Sequence, residues 1–207
     1  MNLPAEAVRL LQAWRPPAHD PYQEELRRDY LALLVADPEA VWRHRAPAHL
    51  TASALVVDLD GRRVLLALHA KAGLWLQTGG HCEPADATLA AAALREAREE
   101  SGIDGLRLGA GPVRLDRHSA PCAPGVVEHH LDVQFLAFAP PGTEPVRSAE
   151  STAVDWFAPE SLPEPTDDAV RALVATAFVP IAQSQPSPAR VAAENPSRKP
   201  RARSVRG

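Results

Sequence analysis

Apolar positions recur at helical spacing over residues 3–14 and 21–36, and in the second segment Leu26, Tyr30, Leu33 and Leu34 share one face. Pro16-Pro17 and Pro38 interrupt the pattern, so two separate helices are predicted. The period then shortens to that of strands. TASALVVD (51–58) and RVLLAL (63–68) flank Leu59-Asp60-Gly61, which predicts a hairpin turn. Leu74 to Gln77 predicts a short strand running into Gly79-Gly80. A helix is predicted next, with Asp86 or Thr88 as its cap, Ala90 to Leu94 as good helix formers and Gly102 just past its end. Residues 111–119, 126–139 and 152–157 read as further strands, the second alternating around Leu131, Val133, Phe135 and Ala137. Thr166 is expected to cap a last helix, Asp167 to Phe178. This order predicts an α/β sandwich, a mixed sheet between helices, with a helical N-terminal extension over residues 1–48 and a core domain over 49–181.

Composition changes the picture mainly at the C-terminus. Residues 182–207 are rich in Pro, Ser and Arg and poor in large apolar groups, so a disordered tail is expected. It carries a net charge of +5, against −9 for residues 1–181 and −4 for the whole chain. An acidic body argues against a nucleic-acid polymer as the main substrate; the tail reads as a dispensable solvated extension. No apolar run long enough to span a membrane is present, and the N-terminus does not read as a signal peptide. With only Cys82 and Cys122 there is no disulfide framework, and a reducing cytoplasm is the expected compartment.

The most informative stretch runs from Gly79 to Ile103 and ends in Arg95-Glu96-Ala97-Arg98-Glu99-Glu100-Ser101-Gly102-Ile103. On a helix, positions three and four apart share a face, so Glu96, Glu99 and Glu100 point the same way. Three crowded carboxylates repel one another unless they hold a hard cation, and Mg²⁺ prefers oxygen ligands and often arrives with phosphates. Ala90, Leu94 and Ala97 lie on a neighbouring face expected to pack on the sheet. Ala92 and Ala93 are expected to leave room for a phosphate beside Glu96 and Glu100.

This stretch resembles the Nudix box of the MutT-like diphosphate hydrolases, whose pattern is Gly, five residues, Glu, seven residues, Arg-Glu-apolar-x-Glu-Glu-x-Gly-apolar. Arg95, Glu96, Ala97, Glu99, Glu100, Gly102 and Ile103 match the second half. Asp86 stands where the family has Glu, and eight residues separate it from Arg95. Asp86 is therefore expected to cap the helix or brace the loop without binding metal. The resemblance spans about residues 50–180 and implies a Nudix-type α/β/α sandwich. It implies that Glu96, Glu99 and Glu100 bind Mg²⁺, with Mn²⁺ as a substitute, that the Gly80 carbonyl joins them, and that Arg95 orients the glutamates.

Other residues are candidates for supporting roles. Gly79-Gly80 can turn sharply and present backbone groups to a metal or phosphate. His69 and Lys71 could neutralise a substrate phosphate, and Glu83 could brace the loop or touch metal. Glu128 and Asp132 are candidates for the general base. His118, Cys122, His129 and His130 are residue types that transition metals favour. Their spacing matches no familiar zinc pattern, and consecutive His129 and His130 point to opposite faces of a strand. Trp75, Trp156 and Phe157 read as core. Cys82 lacks the surroundings expected of a nucleophile.

The expected function is Mg²⁺-dependent hydrolysis of a diphosphate linkage in a nucleoside diphosphate derivative or nucleoside triphosphate, with a small nucleotide as partner and a homodimer left open. Two alternatives stand beside it: a non-catalytic nucleotide-sensing module, and a prenyl diphosphate isomerase on the same fold.

Overall fold

The computed structural model describes residues 2–45, 47–58, 60, 62–123 and 126–184, with backbone alone at 120–123, 126–128 and 179–184. Two helices lead: α1 (Leu3–Ala13) and α2 (Pro21–Ala36), followed by a 3₁₀ turn at Pro38–Val41. Then come β1 (Ala48–Asp58), β2 (Val64–His69), β3 (Trp75–Leu76), β4 (Thr78–His81), α3 (Leu89–Ser101), β5 (Arg107–Leu108), β6 (Arg114–Ala123), β7 (Val126–Ala139), β8 (Ser151–Phe157) and α4 (Asp168–Ser184). One mixed sheet runs β3-β2-β1-β7-β5, with β4 also on β1, β6 on β7 and β8 on β2. β1 and β7 pair in parallel over eleven positions, and the other pairs are antiparallel. Among the described residues, no helix is long and apolar enough to cross a membrane.

β1 sits at the centre and is buried on both faces, so its sequence is nearly continuous in apolar and small residues. Alternation splits it cleanly. Leu50, Ala52, Ala54 and Val56 join the core shared with α1, α2 and α3. Leu55 and Val57 join Val170, Leu173 and Val174 of α4 on the other face. The expected sandwich is the observed one. The N-terminal helices cover the β6 side: the buried Gln23 side chain donates to the Leu115 carbonyl at 2.9 Å and accepts from the Leu115 N–H at 2.7 Å. Such pairing satisfies backbone groups that a covered strand could not present to water.

Several local expectations shift. β6 starts three residues later than the predicted strand, at Arg114. Asp167, not Thr166, caps α4 by accepting from the Val170 N–H at 2.8 Å; the Thr166 hydroxyl donates instead to the Trp75 carbonyl. α4 continues past the expected end at Phe178, through Pro180 to Ser184. A proline removes one N–H and strains a helix without always ending it. The predicted hairpin turn has Leu59 and Gly61 outside the described residues, as is the tail from 185 onward. Trp75 packs edge-on to Phe157 at 4.9 Å, and Trp156 lines the other core.

Candidate functional site

α3 is built as its sequence suggests. Thr88 caps it, accepting from the Ala91 N–H at 2.9 Å, and Gly102 ends it in the left-handed region at φ 63°. The Leu89 N–H at its start is taken by Glu6 of α1 at 3.0 Å. Ala92, Ala93 and Ala97 are fully buried against the sheet. The alanines thus set a close helix–sheet approach and leave no gap for phosphate, contrary to the expectation for Ala92 and Ala93. Ala90 and Leu94 pack at the rim of the same core.

That close approach presses the glutamates onto β4. A Cβ on Gly80 would stand 2.7 Å from Glu96 Oε1 and 2.8 Å from its Cδ, so only glycine lets this carboxylate lie against the strand. A Cβ on Gly79 would stand 2.3 Å from the Ser53 Cβ. The Gly79 backbone faces the Glu100 carboxylate and favours its charged form. Glu96 is largely and Glu100 almost wholly buried, whereas Glu99 is exposed. Burial pushes the Glu100 carboxyl up to about 8, helped by the charges of Glu96 and Glu150. Burial also raises Glu96, against the pull of Arg95.

Arg95 organises this cluster. Its Nε and Nη2 fork onto Asp86 at 3.2 and 3.0 Å, and Nη1 reaches Glu96 and Glu99 at 3.0 Å each. Nη2 also donates to the His81 carbonyl at 2.9 Å. Asp86 is buried and takes the Glu83 N–H at 2.8 Å, so it braces the loop and anchors Arg95; Thr88 does the capping. Glu83 itself is exposed.

The supporting candidates fare differently. His69 Nδ1 accepts from the Ala72 N–H at 3.1 Å within its own turn, and Lys71 is exposed there. The adjacent Ala70 N–H donates to the Glu150 carbonyl at 3.0 Å, which puts this loop beside a carboxylate that both Glu96 and Glu100 sense. Sequence reading missed Glu150, which stands just before β8 and becomes a neighbour of α3 only through the sheet. Asp132 is buried, accepting from Ser53 at 2.5 Å and Thr51 at 3.1 Å, so it serves as a hub between β1 and β7. The Glu128 and Cys122 side chains lie outside the described residues. The Cys82 thiol is buried and pushed up to about 12, which removes it as a nucleophile at neutral pH.

A second polar cluster occupies the opposite face of the sheet. His49, His81 and His130 bring a ring nitrogen each within 4.8 Å of one another. His118 packs edge-on to His130 at 5.3 Å and contacts Asp116 at 2.9 Å, while His129 approaches Ser119 at 3.4 Å. Of the four residues considered as a transition-metal set, only His130 belongs to this trio. Burial, then neighbouring charge, lowers His81 to about 4 and His130 to about 3, so both rings are neutral at pH 7.

Known proteins place this architecture. The model of the NUDIX domain matches residues 47–177. The chain belongs to the NUDIX domain family and is a hydrolase of that class. Similar solved structures include a NUDIX-family hydrolase from Clostridium perfringens, 23% identical, covering 64% of this chain and 97% of that one with a TM-score of 0.53. A C. elegans Ap4A hydrolase is 19% identical, covers 65% and 98%, and has a TM-score of 0.53. The E. coli dihydroneopterin triphosphate pyrophosphohydrolase is 19% identical, covers 61% and 92%, and has a TM-score of 0.51. At these identities the likeness is one of fold. Comparison with curated protein sequences finds no match.

Proposed function

We propose that this chain hydrolyses a diphosphate linkage in a nucleoside diphosphate derivative or nucleoside triphosphate, with Mg²⁺ as cofactor and Mn²⁺ as substitute. The observation that carries the reading is the seating of Glu96 and Glu100 against Gly79-Gly80, with Glu99 and Glu150 close by. This crowd of oxygen donors suits a hard divalent cation. The groove between helix and strand exists only because residue 80 lacks a Cβ. Glu96, Glu99, Glu100 and the Gly80 carbonyl would hold the ion. When bound, it supplies neutralisation of the diphosphate and acidifies the attacking water.

The chain's own groups do the rest. Arg95 fixes Glu96 and Glu99 through paired hydrogen bonds and is itself held by Asp86. One carboxylate takes a proton as water attacks phosphorus; the second phosphate then leaves with the bridging oxygen, and no covalent intermediate forms. Glu150 joins Glu128 and Asp132 as a candidate for that base, and its exposure favours it over the buried Asp132. His69 and Lys71 stand beside Glu150 and would meet the substrate's outer phosphate. The names of two structural neighbours, an Ap4A hydrolase and a dihydroneopterin triphosphate pyrophosphohydrolase, support substrates of this kind. We place the enzyme in the cytoplasm, in keeping with its cysteine usage.

The isomerase alternative needs a reactive cysteine, and among the described side chains the buried Cys82 does not supply one. A sensing module has no use for the glutamates. A screen of nucleoside diphosphate derivatives and triphosphates with Mg²⁺, read by product mass, tests the proposal. Release of phosphate or nucleoside monophosphate is expected, and a panel left intact would overturn it.

A further inference from the structure

The three imidazoles on the face away from α3 come from three strands that are distant in sequence. Parallel pairing of β1 with β7 sets His49 directly beside His130, and antiparallel pairing of β4 with β1 sets His81 opposite Thr51, two residues along the same face. Their ring centroids form a near-equilateral triangle with sides of 5.1, 4.9 and 5.0 Å. One ligand atom from each lies within 4.8 Å of the others. A tetrahedral ion with bonds of about 2.0–2.1 Å holds its ligand atoms about 3.4 Å apart, so each ring would move by less than about 1 Å to close on it.

Two further observations point to a ligand. His81 Nε2 is buried and has no hydrogen-bond partner among the described residues. A buried polar atom left in this state costs free energy that a coordinate bond would recover. His49 Nδ1 contacts the Arg45 carbonyl at 3.2 Å. That contact orients the ring, as the outer partners of metal-ligating histidines do.

We propose that His49, His81 and His130 form a binding site for one divalent transition-metal ion, with Zn²⁺ as the probe and the fourth position left to water or a small anion. Nitrogen donors distinguish it from the all-oxygen cluster on α3, since Mg²⁺ and Ca²⁺ disfavour imidazole. An ion here would tie β1, β4 and β7 together one residue from Gly80. It would also steady the His81 carbonyl on which Arg95 rests.

The test uses the full chain, stripped of metal by chelation and then titrated with Zn²⁺ alone and with Co²⁺ alone. Wild type is expected to bind one equivalent of Zn²⁺, and Co²⁺ to give the intense visible absorption of a tetrahedral nitrogen-ligated ion. The Glu99→Gln/Glu100→Gln double variant is expected to keep both signals. His81→Asn and His130→Asn, folded by circular dichroism, are expected to lose affinity by more than the roughly 10–100-fold that loss of an outer-shell partner costs. If the histidine variants do not fold, wild type and the glutamate variant decide the matter alone. The proposal falls if wild type binds no Zn²⁺, if the glutamate variant loses the site, or if folded histidine variants bind as wild type does.

Discussion

The two polar clusters of this protein sit on opposite faces of one sheet and are assembled in opposite ways. The carboxylates come from three residues within the five-residue stretch Glu96 to Glu100 of α3 and one from a loop, so little more than a single helical turn brings most of them together. The imidazoles come from β1, β4 and β7, and only strand pairing across 81 positions brings His49 to His130. The first is a hard, charged, oxygen-rich site clamped by one arginine. The second is nitrogen-rich, and its His81 and His130 rings are neutral at pH 7. One fold thus presents two chemistries a residue apart, at Gly80 and His81, because alternate residues of β4 face opposite sides.

The sharpest way to break the comparison is at the glutamates. Glu99→Gln and Glu100→Gln are each expected to lower kcat by about a hundredfold or more, since lost metal stabilisation of phosphate charge costs several kcal/mol. Circular dichroism should show the fold retained, and near wild-type turnover in either variant would remove the metal assignment.

Next come the two glycines, which separate fold from site. Gly79→Ala drives a methyl into the Ser53 Cβ and backbone, at 2.3 and 2.6 Å. Overpacking of this kind costs about 1–3 kcal/mol or more, so thermal melts should fall by several degrees. Gly80→Ala meets only the tip of Glu96. Its expected effect is on Mg²⁺ half-saturation and turnover, about tenfold, with Tm nearly unchanged. Equal melts for the two variants would contradict the distinction.

Stability against pH sharpens it further. The Glu100 carboxyl is raised to about 8 in the fold, from about 4.3 when unfolded. The folded state therefore keeps a proton that the unfolded chain releases between those values. The stability this gives is complete below about pH 4.3 and is lost as pH climbs towards 8. Glu100→Gln is permanently neutral, so without Mg²⁺ its Tm should exceed wild type by a margin that widens from pH 5 to pH 8. Each kcal/mol is about 2–4 °C at this size. A margin that does not change with pH would show that the carboxyl is not raised.

Smaller effects are expected at the edges of the acidic site. Asp86→Asn should weaken the grip on Arg95 and lower Tm, while the Mg²⁺ concentration for half-maximal activity changes little. A tenfold rise would place Asp86 on the metal. Removal of residues 185–207, which leaves α4 whole, should not alter hydrolysis of a small nucleotide. A large fall in kcat/KM would show that the tail arginines reach the substrate.

What could be read from the chain follows the same division. Helices α1 to α3 and the long strands were legible because their periodicity and caps are local. So was the Glu96/Glu99/Glu100 face. Glu150 and the His49–His81–His130 trio were not, because each depends on which strands pair and in which register. The burial of Ala92 and Ala93 was missed for a related reason. Helical spacing gives their face but not how closely that face meets the sheet. The capping choice at α4 was settled by Trp75, whose carbonyl takes the Thr166 hydroxyl from a distant strand and leaves the cap to Asp167.

The central claim is Mg²⁺-dependent attack of water on a diphosphate at the α3 carboxylates. Its most direct test is hydrolysis of a substrate from the panel in ¹⁸O-labelled water, with Mg²⁺ and with chelator, by wild type and Glu100→Gln, read by product mass. The account predicts one ¹⁸O in a single phosphate-bearing product, formed by wild type with Mg²⁺ and almost absent with chelator or in the variant. Label in a non-phosphate product, or undiminished cleavage with chelator or in Glu100→Gln, would contradict it.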